Sequence, residues 1–178
     1  RQFMTAEILR LDDKDRYLEN IRTAAQALRS GGIVAFPTET VYGLGVCADN
    51  DTAIDNLYSA KQRSRDKKLS IMIAEPDDVR KHVKQITPIA NKLISSFWPG
   101  PLTIIFDLPD NRTVGIRNSS HHVVRDLLNA AGKSIVSTSA NISGRPPATD
   151  AQQVISSFSD KVDVVLDGGS AEAGRPST

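Results

Sequence analysis

Short β-branched runs separated by segments of helical period recur along the whole sequence, and this alternation restricts the chain to layers of strands and helices. Leu18, Ile21, Ala25 and Leu28 repeat at helical spacing, and Gly31-Gly32 then supplies a stop before the strand-like "IVAF". A second helix is predicted to start at an Asp51 or Thr52 cap, to carry Ile54, Leu57 and Tyr58 on one face, and to end near Lys61. "LSIMIA", "LTIIFDL", "VGIR", "SIVSTS" and "VDVVLDGG" read as strands. Further helices are predicted over residues 88–97, 122–131 and 149–158, the last opened by a capping box of Thr149 and Gln152. Adjacent short strands such as "LTIIFDL" and "VGIR" favour a mixed over a purely parallel sheet. With no internal repeat, low-complexity tract or long linker, one α/β domain over residues 1–178 is expected.

Composition narrows the function classes. Lys+Arg number 22 and Asp+Glu 21, so a net charge of +1 gives no whole-protein attraction to nucleic acid or membrane, and any electrostatic work must be local. Cys47 is the only cysteine, which excludes an internal disulfide and a cysteine zinc cluster and suits a reducing cytoplasm. No apolar run approaches the roughly 18 residues of a membrane helix, and "RQFMTAEILRLDDKD" lacks the apolar core of a signal peptide. The internal Met4 hints that Arg1 is not the natural start.

Four stretches could carry chemistry. "IVSTSANISG", residues 135–144, crowds Ser137, Thr138, Ser139, Asn141 and Ser143 at the end of an apolar run, and reads either as a surface turn or as a ligand loop. "FPTETVYGLG", residues 36–45, ends a strand at Pro37 and places hydroxyls and a carboxylate beside two glycines, either as a strand-to-helix connection or as a site of close backbone approach. "KQRSRDKK", residues 61–68, holds five bases and one acid, and reads as a solvated helix end favoured by the dipole or as an anion clamp. "TVGIRNSSHH" closes an apolar strand with Arg117, either a rim residue or a donor aimed into a cleft at the strand end. His121 and His122 adjoin, but neighbours on an extended segment face opposite sides and His82 is the only other histidine, which argues against a histidine metal site. No Walker loop or nucleophile elbow is present, so a serine hydrolase has no support.

The order and approximate spacing of "GGIVAFPTETVYGLG", "KQRSRDKKL", "FWPGPLT", "GIR", "STSANISGRPP" and "VLDGG…GRPST" are those of a known family. From about Leu28 to Thr178 the chain resembles the YrdC-type threonylcarbamoyl-AMP synthases. The resemblance implies a twisted mixed parallel and antiparallel sheet flanked by helices with a ligand cleft. It implies an enzyme that makes threonylcarbamoyl-adenylate and pyrophosphate from L-threonine, bicarbonate or CO2, and ATP, for N6-threonylcarbamoyladenosine formation in tRNA. Downstream threonylcarbamoyl-transferase proteins would complete the transfer, with a tRNA contact left open. Carried over by motif, Thr40 resembles a threonine contact, Arg117 would hold threonine's carboxylate bidentately, and Ser177 resembles another threonine contact. Lys61, Arg63 and Lys67 resemble phosphate-binding groups, and Thr113, Ser137, Ser139 and Asn141 the nucleotide-binding positions. No covalent nucleophile is expected, charge stabilisation falling to Lys61 and Arg63, and Mg2+ would arrive with the triphosphate.

Departures from the family pattern are also present. Ser64 follows Arg63 where many relatives have proline, and Lys67-Lys68-Leu69 replaces Asn-Pro-Leu, as in the short bacterial branch. Met72 stands where longer relatives carry a histidine near threonine, and Asn118, Ser119 and His122 break an Arg-x-Pro-x-His-Pro run. Thr178 precedes the position of a further strand and an Arg-x-Gly segment that relatives use to cover ATP. Mutual repulsion among Arg63, Arg65, Lys67 and Lys68 predicts that the loop over residues 64–68 is mobile until phosphate arrives. Two other readings stand beside the synthase. A carbamoyl-adenylating module of the hydrogenase-maturation type is opposed by the single cysteine, and a non-catalytic RNA-binding module by the near-zero net charge and the lack of an aromatic RNA-recognition motif.

Overall fold

The computed structural model describes residues 5–178, so Met4 lies outside the described residues. Eight strands form one sheet: β1 (Glu7–Arg10), β2 (Val34–Phe36), β3 (Gly43–Cys47), β4 (Ser70–Met72), β5 (Thr103–Asp107), β6 (Thr113–Arg117), β7 (Ile135–Ser139) and β8 (Val164–Asp167). Their spatial order is β1-β8-β2-β3-β7-β4-β6-β5. The pairs β1–β8, β8–β2 and β4–β6 are parallel, and the other four are antiparallel. The mixed sheet expected from the sequence is therefore present. β1 and β3 were not anticipated: β1 is exposed at most positions, and β3 reads as a connection because two of its five residues are glycine.

Five helices flank the sheet: α1 (Tyr17–Arg29), α2 (Asp51–Lys61), α3 (Pro88–Phe97), α4 (His122–Ala131) and α5 (Ala151–Phe158). The α2 cap is Asn50 rather than Asp51 or Thr52, its side chain accepting from Ala53 N at 2.9 Å. The predicted capping box is displaced by one residue: Asp150 accepts from Gln153 N, and the Gln153 side chain accepts from Thr149 N, each at 2.9 Å. Both corrections follow from the same rule, since the cap is the last extended residue before the helix and its side chain must reach the third N–H beyond it.

Strand alternation sorts the core. Val34, Phe36, Val164 and Leu166 join Ile21, Leu28, Val124 and Leu127 of α1 and α4, whereas Ala35, Leu44, Val46 and Val165 join Leu57, Val154 and Phe158 of α2 and α5. A third cluster of Ile73, Val79, Val83, Trp98, Ile104, Phe106 and Ile116 fills the far end of the sheet. The glycines of "YGLG" have a packing cause. Gly43 and Gly45 lie opposite Phe36 and Val34, and a Cβ on either would stand 2.9 Å from the Phe36 ring. The close approach made possible there is that of an aromatic side chain.

Candidate active site

Register places a row of small residues across one face of the sheet. Gly45 pairs with Ser137, Ser137 with Ser70, and Ser70 with Gly115. The next row on the same face runs Cys47, Ile135, Met72, Arg117 and Thr103. Phe36, Cys47, Met72 and Ile135 on this face belong to the core shared with α1 and α4; beyond them, Ser70, Thr103, Arg117, Ser137 and Ser139 line a cleft of roughly 240 Å³. Thr38, Thr40, Arg63, Lys68 and Ser177 complete its walls. At Gly115 a Cβ would come within 3.2 Å of Ser70 Oγ and of Thr103 Cγ2, so a side chain there would compete with the hydroxyls for the floor.

Arg117, the last residue of β6, is buried and holds an ion pair with Glu39. Its Nη2 donates to Glu39 Oε1 and, at 3.2 Å, to Thr40 Oγ1, while its buried Nε has no hydrogen-bond partner. Ser119 Oγ donates to the other Glu39 oxygen and accepts from His121 N at 3.2 Å. Burial pushes the Glu39 carboxyl up, but the Arg117 charge and the donated hydrogen bonds outweigh it and hold the group below the ordinary carboxylate range. Thr38 Oγ1 donates to Val41 O at 2.6 Å, so in the 2.9 Å contact between the two threonines Thr40 is the donor. Thr40 Oγ1 therefore faces Arg117 as an acceptor.

Lys61, at the end of α2, is fully buried and does not line the cleft. Its ammonium donates to Ser139 O and, at 3.2 Å, to Asn141 Oδ1, both uncharged acceptors. Burial, with a smaller contribution from the Arg63 charge, pushes its pKa down to about 8. Asn141 also accepts from Ser139 Oγ at 2.6 Å and donates to Arg145 O at 2.8 Å, which ties the turn after β7 to the end of α2. The "IVSTSANISG" stretch thus serves both readings at once: Ser137, Thr138 and Ser139 line the cleft, and Asn141 holds the turn.

The cations of residues 63–68 do not converge on one point. Arg63 donates from Nε and Nη2 to the carbonyls of Lys67 and Lys68, each at 3.0 Å. Arg65 pairs with Asp55 and stacks over the Tyr58 ring, and Lys68 Nζ donates to Thr113 Oγ1 at 3.0 Å. Of the candidate residues, Thr40, Arg63, Arg117, Ser137, Ser139 and Ser177 line the cleft. Lys61, Thr113 and Asn141 do not line it, and Lys67 is exposed, with Lys68 at the cleft instead. Ser177 is brought there by its neighbour: Thr178 N donates to Pro101 O at 3.1 Å and Thr178 O accepts from Thr103 N at 2.9 Å. Glu39, Ser70 and Thr103 went unassigned in the sequence, Ser70 and Thr103 because only cross-strand register brings them to the site. His121 and His122 do not diverge. Their rings stack at 5.0 Å because His121 caps α4 and His122 begins it, so the extended geometry ends there. Among the described residues no three His, Cys, Asp or Glu side chains gather as a metal site, and no helix is long and apolar enough to cross a membrane.

A threonylcarbamoyl-AMP synthase of Pyrococcus abyssi is 38% identical over 169 residues, covering 89% of this chain and 49% of the relative, so the chain spans about half that relative's length. The crystal structure of P. abyssi Sua5 complexed with L-threonine superposes with a TM-score of 0.89 at 35% identity, over 98% of this chain and 53% of that one. Escherichia coli YciO, at 21% identity, shares the fold with a TM-score of 0.83 over 94% of this chain and 85% of its own. Residues 26–178 match the Sua5/YciO/YrdC family model, which is described by the words telomere recombination. With the motifs, the mixed eight-stranded sheet and the polar cleft on one of its faces all in agreement, the chain belongs to the Sua5/YciO/YrdC family.

Proposed function

We propose that the protein is an L-threonylcarbamoyladenylate synthase, acting in the cytoplasm in tRNA N6-threonylcarbamoyladenosine formation. The observation that carries the reading is a cleft that brings Arg117 together with a floor of small hydroxyl residues, bordered by Arg63 and Lys68. Such a cleft has a donor for a carboxylate at one end and cations for a polyphosphate at the other. The cleft-facing edge of the Arg117 guanidinium would take the threonine carboxylate, while Nη2 is committed in part to Glu39 and Thr40. Thr40, an acceptor, suits the substrate's amine, and Ser177 lies within the same wall.

The amine nitrogen attacks the carbon of CO2, losing a proton, to give N-carboxythreonine. With bicarbonate as the source, that proton leaves with the bicarbonate hydroxyl as water. An oxygen of the new carboxylate then attacks the α-phosphorus of ATP, the bond to the bridging oxygen breaks, and pyrophosphate departs. No protein nucleophile enters, so positioning and neutralisation of three crowded anions carry the catalysis. Arg63 and Lys68 would meet the phosphates, Lys68 in the part the family pattern gives to Lys67, with Ser137 donating from the floor. Lys61 would act through Ser139 and Asn141. No carboxylate lines the cleft, so Mg2+ would enter as part of the nucleotide complex. The adenylate would pass to transferase proteins that act on tRNA.

The test is incubation with Mg-ATP, threonine and labelled bicarbonate. Pyrophosphate release should require threonine and bicarbonate together, and one product should carry both the carbonate label and the adenylate. ATP turnover at an equal rate without threonine would refute the reading.

A further inference from the structure

Glu39 is the one carboxylate in contact with the candidate site's buried arginine, yet it does not line the cleft. Both its oxygens are occupied, Oε1 by Arg117 Nη2 and Oε2 by the Ser119 hydroxyl. The Ser119 oxygen in turn accepts the His121 N–H at 3.2 Å, which turns its proton toward Glu39. Its side chain is 13% exposed and that of Arg117 9%, so solvent screens the pair little. With both oxygens hydrogen-bonded and no face on the cleft, this side chain is placed to act on a ligand through its partner.

We infer that Glu39, anchored by Ser119, is a positioning residue that fixes the plane of the Arg117 guanidinium and so sets how its cleft-facing edge meets the carboxylate of an amino-acid substrate. The inference rests on the proposed function for the identity of that substrate. Two effects of the ion pair oppose each other. As a neutralising charge, Glu39 lowers the attraction of Arg117 for any anion. As an anchor, it removes the rotameric freedom of a long side chain whose donor must meet a carboxylate within a few tenths of an ångström. Thr40 shares the anchoring, since its oxygen accepts from the same Nη2. The inference is that geometry outweighs charge.

Glu39→Gln keeps the size and one acceptor while removing the charge, so the two effects separate in sign. Binding of labelled L-threonine by equilibrium dialysis should weaken roughly 10- to 100-fold in Glu39→Gln, while the KM for ATP stays within about twofold. Ser119→Ala, which leaves the ion pair in place and is the milder change to the fold, should weaken threonine by a smaller factor in the same direction. In an Arg117→Ala background, adding Glu39→Gln should change the threonine KM no further, because the residue through which it acts is gone. Threonine binding unchanged or tighter in Glu39→Gln, or a full effect persisting without Arg117, overturns the inference. Failure of the unaltered protein to bind threonine at all overturns the proposed function, and this inference falls with it.

Discussion

Lys61 permits the most quantitative test, because it is a fully buried cation whose hydrogen-bond partners are all neutral. Holding its pKa at about 8 rather than at the ordinary 10.5 costs the fold on the order of 3 kcal/mol wherever both states are protonated. Between these two values the unfolded chain binds more protons than the folded one, so stability rises with pH through that window. Above it the penalty is gone. Lys61→Met removes the titrating group and fills much the same volume. It also takes one of two donors from the Ser139 carbonyl, which still accepts from Asn141 N at 3.0 Å, at about 0.5–1.5 kcal/mol. Near pH 7 the relief of burial exceeds this loss, and the variant should be more stable than the parent. The difference between the proteins should then swing by roughly 2–3 kcal/mol toward the parent between about pH 7 and pH 10. Urea unfolding at several pH values measures this, and other groups titrating in the range cancel in the difference. Parallel curves would refute the argument. The same variant should lose nucleotide-dependent pyrophosphate release, which would separate the stability of the site from its use.

Arg63→Ala should raise the KM for ATP and Arg117→Ala the KM for threonine, each by about 10- to 150-fold, the equivalent of one charge-assisted hydrogen bond of roughly 1.5–3 kcal/mol; a threonine response left unaltered in Arg117→Ala would remove that assignment. Gly45→Val should destabilise the fold by about 1–3 kcal/mol or more in thermal or urea unfolding, since even its Cβ would stand 2.9 Å from the Phe36 ring; unchanged stability would mean that the ring has room to move.

The strands and helices were legible where one face was buried and the period was clean. α4 shows this best: Val123, Val124, Leu127, Leu128 and Ala131 are buried on one stripe, and Gly132 in the left-handed region ends it where a glycine stop is read. β3 was not legible. Its glycines look like a turn because they offer no side chain to count toward alternation, and the reason for them, the Phe36 ring on the next strand, is a non-local fact. β1 failed for a different reason. It is an edge strand with three of its four residues exposed, and what holds it is parallel pairing to β8, over 150 residues away in sequence.

Charge in the site was misjudged from sequence because nearness along the chain was taken for nearness in space. Residues 61–68 read as one basic cluster, yet the fold distributes it: Lys61 goes inward to Ser139, Arg63 folds over its own loop, Arg65 turns to Asp55, and Lys68 crosses to Thr113. Conversely, Arg117 and Glu39 are separated by 78 positions and form the one buried ion pair among the described residues. A net charge of +1 therefore conceals a cleft lined by Arg63, Lys68 and Arg117 and by no carboxylate. Three like charges border one cleft, which draws an anion to it. Only Arg117 has its charge offset within the protein. Arg63 and Lys68 make do with carbonyl and hydroxyl oxygens, which hold a side chain in place without neutralising it, and so leave the positive potential for a polyphosphate to satisfy.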